Sequence, residues 1–285
     1  MTDNKFLESI LQCPACQGKL IRETGALLCT KCHQSFAIDK HKVLFTPTPT
    51  NIRPSELRER NENIGTPWRK ANWQFIKDQM QNLPKNTLIL DVGAGHGDFL
   101  EAYKTYPHVL LDVYPYPKVD VVCDLTQVNP FRKETFDVIL LMNVLEHVFS
   151  PMDLLDSLRK ILKPNGCIIL TIPFLLKIHQ APLDFVRYTH FAIEKIAKQK
   201  NFELQVISGF YDPVGLVRET LRYYHFWTHP QLKRMHRWVS TLLEWTLNRM
   251  IDLLSFFAPK AYNYQPFETD NPAPIGYHVV FTKPS

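Results

Sequence analysis

No apolar stretch of this chain is long enough to cross a bilayer, which takes ~18 residues or more. Phe136–Phe149 is interrupted by Asp137 and Glu146, and Trp238–Phe257 by Glu244, Arg249 and Asp252. The first ten residues lack a basic stretch followed by an apolar run, so no secretory signal is expected. The expected setting is the cytoplasm, at most peripheral to the inner face of the membrane. Charge of one sign is also scarce. The formal net charge is +5, and the stretch 66–210 is close to neutral. Only 214–265 departs from balance, with Arg218, Arg222, Lys233, Arg234, Arg237, Arg249 and Lys260 against Glu219, Glu244 and Asp252. Attraction to nucleic acid or to an anionic membrane is expected there if anywhere. Cysteine is limited to six residues, and in a reducing compartment these are metal ligands or core thiols before they are disulfides. Disorder is excluded by 45% hydrophobic against 21% charged residues, and 285 residues suffice for one large or two modest domains.

Proline and charge divide the chain. Thr46-Pro47-Thr48-Pro49-Thr50 cannot continue a helix or a central strand, and the charge-alternating run Ser55–Asn63 follows it. We therefore expect a small N-terminal unit over 1–46, a linker over 47–65 and a main domain over 66–285. Within the main domain, strand-like runs (Thr87–Val92, Val109–Val113, Val119–Cys123, Phe136–Met142, Cys167–Ile172, Phe202–Ile207) alternate with helix-like stretches (Trp68–Met80, Gly97–Tyr103, Pro151–Leu162, His190–Lys200). That alternation implies an α/β fold with a parallel sheet covered by helices on both faces. A helical stripe follows from Met235 to Phe257, and Ile275–Phe281 alternates as a last strand.

Cys13-Pro14-Ala15-Cys16 and Cys29-Thr30-Lys31-Cys32 are two C-x-x-C pairs twelve residues apart, each able to bring two sulfurs to one tetrahedral ion. Zinc suits the set, because a closed thiolate site needs no redox chemistry and so small a unit needs a metal to fold. His33 stands beside Cys32 as a spare ligand. A redox dithiol pair is the alternative, disfavoured because no thioredoxin-like βαβ unit follows. The block resembles the short zinc-ribbon modules fused to or paired with RNA-modifying methyltransferases. Cys123 and Cys167 lie within apolar strands and are expected to be core thiols.

Three of only ten glycines crowd into Asp91-Val92-Gly93-Ala94-Gly95-His96-Gly97-Asp98, directly after an apolar strand. Such a turn lets backbone approach a ligand and offers it the amides that open the next helix. The spacing excludes two ligands. G-x-G-x-x-G fails because Asp98 stands where the third glycine is required, and G-x-x-x-x-G-K-[ST] is absent. Asp91 would repel a pyrophosphate but favour a cationic amino group. With these residues the chain resembles the class I S-adenosylmethionine-dependent methyltransferases over about 66–210 and the final strand. The resemblance implies a Rossmann-like sheet and S-adenosylmethionine as cofactor. By the same resemblance Asp112 at the next strand end holds the ribose hydroxyls, Asp124 and Leu125 lie beside the adenine, and Asn143 opens the E-H-V ending Asn143–Val148 of the fourth strand. Asp91, Gly93, Gly95 and Gly97 complete the expected cofactor set.

Methyl transfer from a sulfonium is an in-line displacement, so alignment comes first and a base is optional. In open α/β sheets the ligand lies at the carboxyl ends of the strands, here Asn143–Val148 and Pro173–Tyr188. The candidates for acceptor contact or catalysis are His147, His179, Asp184 and Arg187. Alternatives stay open: His147 could simply cap its strand, and Asp184 with Arg187 could be a salt bridge fixing the loop. Thr189 is expected to cap the helix that follows. The H-x-x-P-x-D-x-x-R-Y-T pattern of His179–Thr189 looks like a subgroup of bacterial methyltransferases that accompany cell-surface polysaccharide enzymes. An [N/D]-P-P-[Y/F] motif and a Pro-Cys nucleophile are both lacking after the fourth strand, so covalent catalysis is not expected. The segment 214–265 is extra for this class, and its aromatic and basic residues suit a lid, a membrane or lipid-linked substrate surface, a dimer contact or RNA stacking. The main expectation is methylation of an oxygen or nitrogen of a small molecule or a free or lipid-linked saccharide. The alternatives are a ribosomal or transfer RNA base methyltransferase docked by its ribbon, since ribosomal guanine methyltransferases resemble this arrangement, and a non-catalytic adaptor.

Overall fold

The computed structural model describes residues 4–49, 65–211, 216–217, 220–221, 234–257, 265–266 and 274–285. Ser55–Asn63 of the expected linker lies outside them, as do Arg218, Arg222, Lys233 and Lys260 of the basic segment. The elements in chain order are α1 (Asn4–Ile10), β1 (Leu20–Glu23), β2 (Ala26–Cys29), β3 (Ser35–Asp39), β4 (Lys42–Leu44), α2 (Pro67–Met80), β5 (Ile89–Val92), β6 (His108–Asp112), β7 (Val121–Val122), β8 (Phe136–Met142), α3 (Pro151–Ile161), β9 (Leu162–Pro173), α4 (His190–Gln199), β10 (Glu203–Tyr211), α5 (Arg234–Phe257), β11 (Gln265–Pro266) and β12 (Gly276–Thr282).

The main sheet runs β7-β6-β5-β8-β9-β12-β10. β6, β5, β8 and β9 pair in parallel, and the chain reverses direction of travel across the sheet between β5 and β8, a topological switch point. This is the sheet that the resemblance to class I methyltransferases implies. Its central strands are Val/Ile/Leu runs buried on both faces, as a helix-covered parallel sheet demands. Capping is also as the sequence leads one to expect: Thr66 Oγ1 accepts from Arg69 N at 3.2 Å and Thr189 Oγ1 from Ala192 N at 3.3 Å. Each cap is worth about 1 kcal/mol.

One expected helix is absent. Gly97–Tyr103 is a run of turns ending in a single 3-10 turn, Leu100–Ala102. The reason is local: Gly93, Gly95 and Gly97 all sit at positive φ (72°, 54° and 75°), which keeps the backbone out of the helical region up to Asp98. A three-residue turn has no dipole to offer, so whatever binds this loop meets its amides and carboxylates alone.

The ribbon is continuous with the sheet. β1 to β4 form an antiparallel meander, and β4 then pairs in parallel with β7 (Val43 with Val121, Leu44 with Val122). Leu11 bridges Phe131, with Gln12 N donating to Pro130 O at 2.7 Å and Arg132 N to Ile10 O at 3.0 Å.

Two compact units emerge, one of Met1–Pro173, Ile178–Ile207 and His278–Ser285, the other of Phe174–Lys177 and Ser208–Tyr277. In the second, Phe210 and Tyr211 pair with Pro266 and Gln265, and α5 leaves Trp238, Trp245, Leu253 and Phe256 exposed. The described part of 214–265 thus does not bury its aromatic stripe. No helix among the described residues is long and apolar enough to cross a membrane.

Candidate functional site

The four ribbon cysteines converge. Cys13 Sγ lies 3.6 Å from Cys32 Sγ and Cys16 Sγ 3.4 Å from Cys29 Sγ, and one sulfur of each lies within 4.8 Å of the others. Tetrahedral zinc with Zn–S bonds of about 2.3 Å requires sulfurs about 3.8 Å apart, so the donor set fits the ion. The amides of Cys32 and Lys31 donate to Cys29 Sγ and lower its thiol pKa, whereas burial raises those of the Cys13 and Cys16 thiols; a bound cation would favour the thiolate at all four. By contrast, Cys123 is fully buried in the core, which raises its thiol pKa, while Cys167 is half-buried against the core, which pushes its thiol up to about 11.

At the end of β5 the three glycines have different reasons to be glycine. A Cβ on Gly93 would meet Val144 Cγ2 at 2.5 Å, so Gly93 answers to packing. A Cβ on Gly97 would meet Lys118 Cδ at 3.1 Å. A Cβ on Gly95 would meet nothing within 4 Å, so there the turn keeps open space. Asp112, at the end of β6, faces this turn: Oδ2 accepts from Gly95 N and Oδ1 from Tyr114 N, each at 2.9 Å. Asp91 lies behind, 2% exposed, and accepts from the Tyr103 hydroxyl. Burial lifts the Asp91 carboxyl to about 7, with Asp112 adding to the rise, and lifts Asp112 to about 6. Open backbone with carboxylates at two strand ends fits the cationic methionine end and the ribose of S-adenosylmethionine.

Asn143 and Asp124 are more committed than expected. Asn143, at φ 54°, accepts through Oδ1 from Trp68 Nε1 and Thr171 Oγ1, each at 3.2 Å. Asp124 accepts from Thr126 N at 3.0 Å and from Gln127 Nε2 at 2.6 Å, and its amide donates to Thr46 Oγ1 at 3.0 Å. Leu125 is buried beside it.

His147, His179, Asp184 and Arg187 come together. The Arg187 guanidinium grips Asp184 through both nitrogens, Nη2 to Oδ2 at 2.8 Å, and the His179 amide donates to the same oxygen at 2.8 Å. Arg187 and that amide hold the Asp184 carboxyl well below the usual carboxylate range. Asp184 Oδ2 stands 3.2 Å from His179 Nδ1, and the His147 ring meets the His179 ring edge-on with centroids 4.7 Å apart. His147 Nδ1 contacts Leu183 O, and burial lowers the His147 pKa, favouring the neutral ring. The salt bridge that fixes the loop and the orientation of His179 are therefore one arrangement.

Sequence reasoning missed Glu146, Tyr103 and the Arg69–Asp98 ion pair. Glu146 is fully buried beneath both histidines, and its burial pushes the carboxyl to about 8. The E-H-V ending was the available signal, but nothing in a linear motif says that the glutamate points inward.

The chain matches a family model described as a methyltransferase domain over residues 66–249 and a Trm112p-like model over residues 4–40. It is 32% identical over 95 residues to an uncharacterised protein of Methanocaldococcus jannaschii, covering 31% of this chain and 41% of that one. It is 28% identical over 149 residues to a ubiquinone biosynthesis O-methyltransferase of Histophilus somni (41% of this chain, 62% of that one). It is 26% identical over 115 residues to a tRNA (carboxymethyluridine(34)-5-O)-methyltransferase of Arabidopsis thaliana (36% and 28%). The chain thus spans less than two thirds of the length of each of these relatives. A solved complex of the Haloferax volcanii Trm112 methyltransferase activator with a methyltransferase is similar at 17% identity and a TM-score of 0.41, over 48% of this chain and 72% of that one. Because the methyltransferase match spans more than half of the residues, the family is shown: this chain belongs to the S-adenosylmethionine-dependent methyltransferases and carries a Trm112-like zinc ribbon in the same polypeptide.

Proposed function

We propose that the chain methylates an oxygen of a nucleoside in transfer RNA. The observation that carries this reading is the Trm112p-like module at 4–40, built into the edge of the methyltransferase sheet through β4 and β7. The tRNA methyltransferase among the relatives supports it. This ranks the small-molecule or saccharide acceptor second, supported by the ubiquinone O-methyltransferase relative. An oxygen acceptor is common to both names.

Asp91, Gly95 and Asp112 would hold the cofactor, with Gly93 and Gly97 shaping the turn and Asp124, Leu125 and Asn143 lining its far side. Bound S-adenosylmethionine supplies an electrophilic methyl group. The protein must align the acceptor with it and lower the cost of removing the hydroxyl proton. Arg187 holds Asp184, Asp184 faces the His179 ring, and Leu183 O meets His147, so the side chains at the end of β8 are oriented before an acceptor arrives. Such preorganisation is where rate is gained.

The test is to incubate the full chain with labelled cofactor and with separate tRNA, lipid and saccharide fractions from cells lacking the protein. Nuclease-sensitive label in tRNA is expected. Label confined to lipid or saccharide would overturn the RNA reading. Asp184→Asn and His179→Ala should each lower transfer ~10²-fold or more while cofactor affinity stays within a few-fold. Equal loss of cofactor affinity in both variants would make the cluster a purely structural part of the loop.

A further inference from the structure

We propose that Glu146, His147 and His179 form a site for a divalent transition-metal ion, whose open positions face an oxygen of the acceptor. The acceptor part rests on the reading above; the metal site does not. Glu146 has no exposed surface, and neither of its carboxylate oxygens meets a hydrogen-bond donor among the described residues. A buried carboxyl whose oxygens lack hydrogen-bond partners is left unsatisfied at a cost of about 1–3 kcal/mol, which an ion bound at this point would offset. His147 Nε2 is buried and equally without a hydrogen-bond partner among the described residues. It lies 3.6 Å from Glu146 Oε1, and His179 Nε2 lies 3.9 Å from the same oxygen. Those separations are too long for hydrogen bonds. They are close to what a shared ion needs, since ligand bonds of about 2.1 Å put donor atoms ~3.0–3.4 Å apart. One donor atom of each residue lies within 4.8 Å of the other two, so closure by about an ångström completes the set.

The outer contacts agree. A ligating histidine uses its second ring nitrogen to bond a carbonyl or carboxylate, which fixes the tautomer and aims the other nitrogen at the metal. Here His147 Nδ1 contacts Leu183 O and His179 Nδ1 faces Asp184, itself clamped by Arg187. Both Nε2 atoms are thereby turned toward Glu146. Two imidazoles and one carboxylate suit zinc, manganese or iron rather than calcium or magnesium, which prefer oxygen. Three protein ligands leave positions open, the hallmark of a working site and the opposite of the closed four-cysteine ribbon.

The experiment uses the full chain with one zinc already in its ribbon and no acceptor present. Zn2+ is titrated by calorimetry and Mn2+, which has little affinity for thiolates, by loss of its free-ion EPR signal. We expect one further equivalent of at least one of the two ions, bound with micromolar or tighter affinity. Glu146→Gln and His179→Ala should each weaken it ~100-fold and Asp184→Asn ~10-fold. Cofactor binding, measured on the same samples, reports folding; if Glu146→Gln fails that check, His179→Ala, on a partly exposed ring, decides. Zinc stopping at one equivalent with no Mn2+ bound at millimolar concentration would overturn the site, as would unchanged affinity in His179→Ala. Because no acceptor enters the titration, a failure to label tRNA leaves this result standing, and the reverse.

Discussion

Two buried carboxyls at the proposed cofactor turn would tie ligand binding to pH. Burial raises Asp112 to about 6 and Asp91 to about 7, above an ordinary value of 3.8. In the unliganded chain a raised carboxyl stabilises the fold below its unfolded value, and that contribution is lost as pH climbs through 6 to 7. Ribose hydroxyls and an ammonium group prefer the ionised carboxylates, so cofactor binding below pH 7 should release protons. Affinity should accordingly rise from pH 5 to 7.5, by at most about tenfold per unit for each proton released, and Asp112→Asn should flatten part of the rise. Calorimetry at pH 6 in two buffers of different ionisation enthalpy measures the protons directly, and none released would refute the assignment. Gly95→Val should remove binding, since it fills open space and also strains a position at φ 54°, while Gly95→Ala separates strain from bulk. The glycine trio and the zinc cysteines were legible from their spacing, and Asp112 from the resemblance to class I methyltransferases. Glu146 was not, because whether a strand-end glutamate faces core or solvent depends on the loop 179–187 folding over it, a contact the local sequence does not encode.

Between elements, the seam of α2 and β12 is held by one histidine. His278, 3% exposed, stacks between Trp68 (centroids 5.3 Å) and Phe75 (4.6 Å) and meets Asn72 Oδ1 at 2.9 Å. Burial lowers its pKa to about 4. A depressed histidine contributes stability above its unfolded value near 6.5 that is lost as pH falls toward 4, in total ~3 kcal/mol. His278→Phe keeps the stack but leaves Asn72 short of a donor, so it should cost about 1–3 kcal/mol at pH 7.5. Its loss of stability between pH 6.5 and 4 should nonetheless be smaller than that of the parent chain by a similar amount. Denaturant melts at the two pH values decide, and parallel acid profiles would show that His278 does not titrate in this range. Helices α2, α3 and α4 follow from periodicity, because each must bury one stripe, and the central strands from continuous apolar runs, because both of their faces are covered. Gly97–Tyr103 departs from its helical pattern because three positive-φ glycines precede it. That β12 lies between β9 and β10 is a long-range pairing with no local signature.

At the scale of the whole chain the ribbon is an edge of the catalytic sheet, and this makes the metal a structural element of both. The prolines after Thr46 suggest a tether, yet before them β4 is already paired: Val43 N donates to Asp120 O at 3.0 Å and Phe45 N to Val122 O at 2.9 Å. Thr46 then supports the Asp124 amide beside the expected adenine position. Zinc binding to small cysteine modules is worth about 10–16 kcal/mol, far more than four short strands with so few buried side chains can supply. Removing the metal should therefore unfold 4–40, expose the two-residue strand β7 and loosen the Asp124 turn. The sheet centre, β5, β8 and β9, is buried on both faces without help from the ribbon and should stay folded. Hydrogen exchange with and without a strong chelator separates these regions. The amides of Val43, Phe45 and Gln12 should lose protection, those of Ile139 to Leu141 should keep it, and cofactor affinity should fall in step with the first group. Protection unchanged at Val43 and Phe45 would mean that the ribbon folds without its metal. Loss at Ile139 to Leu141 would mean that ribbon and sheet unfold as one cooperative body, and the cysteines would then be as necessary to methyl transfer as the glycine turn.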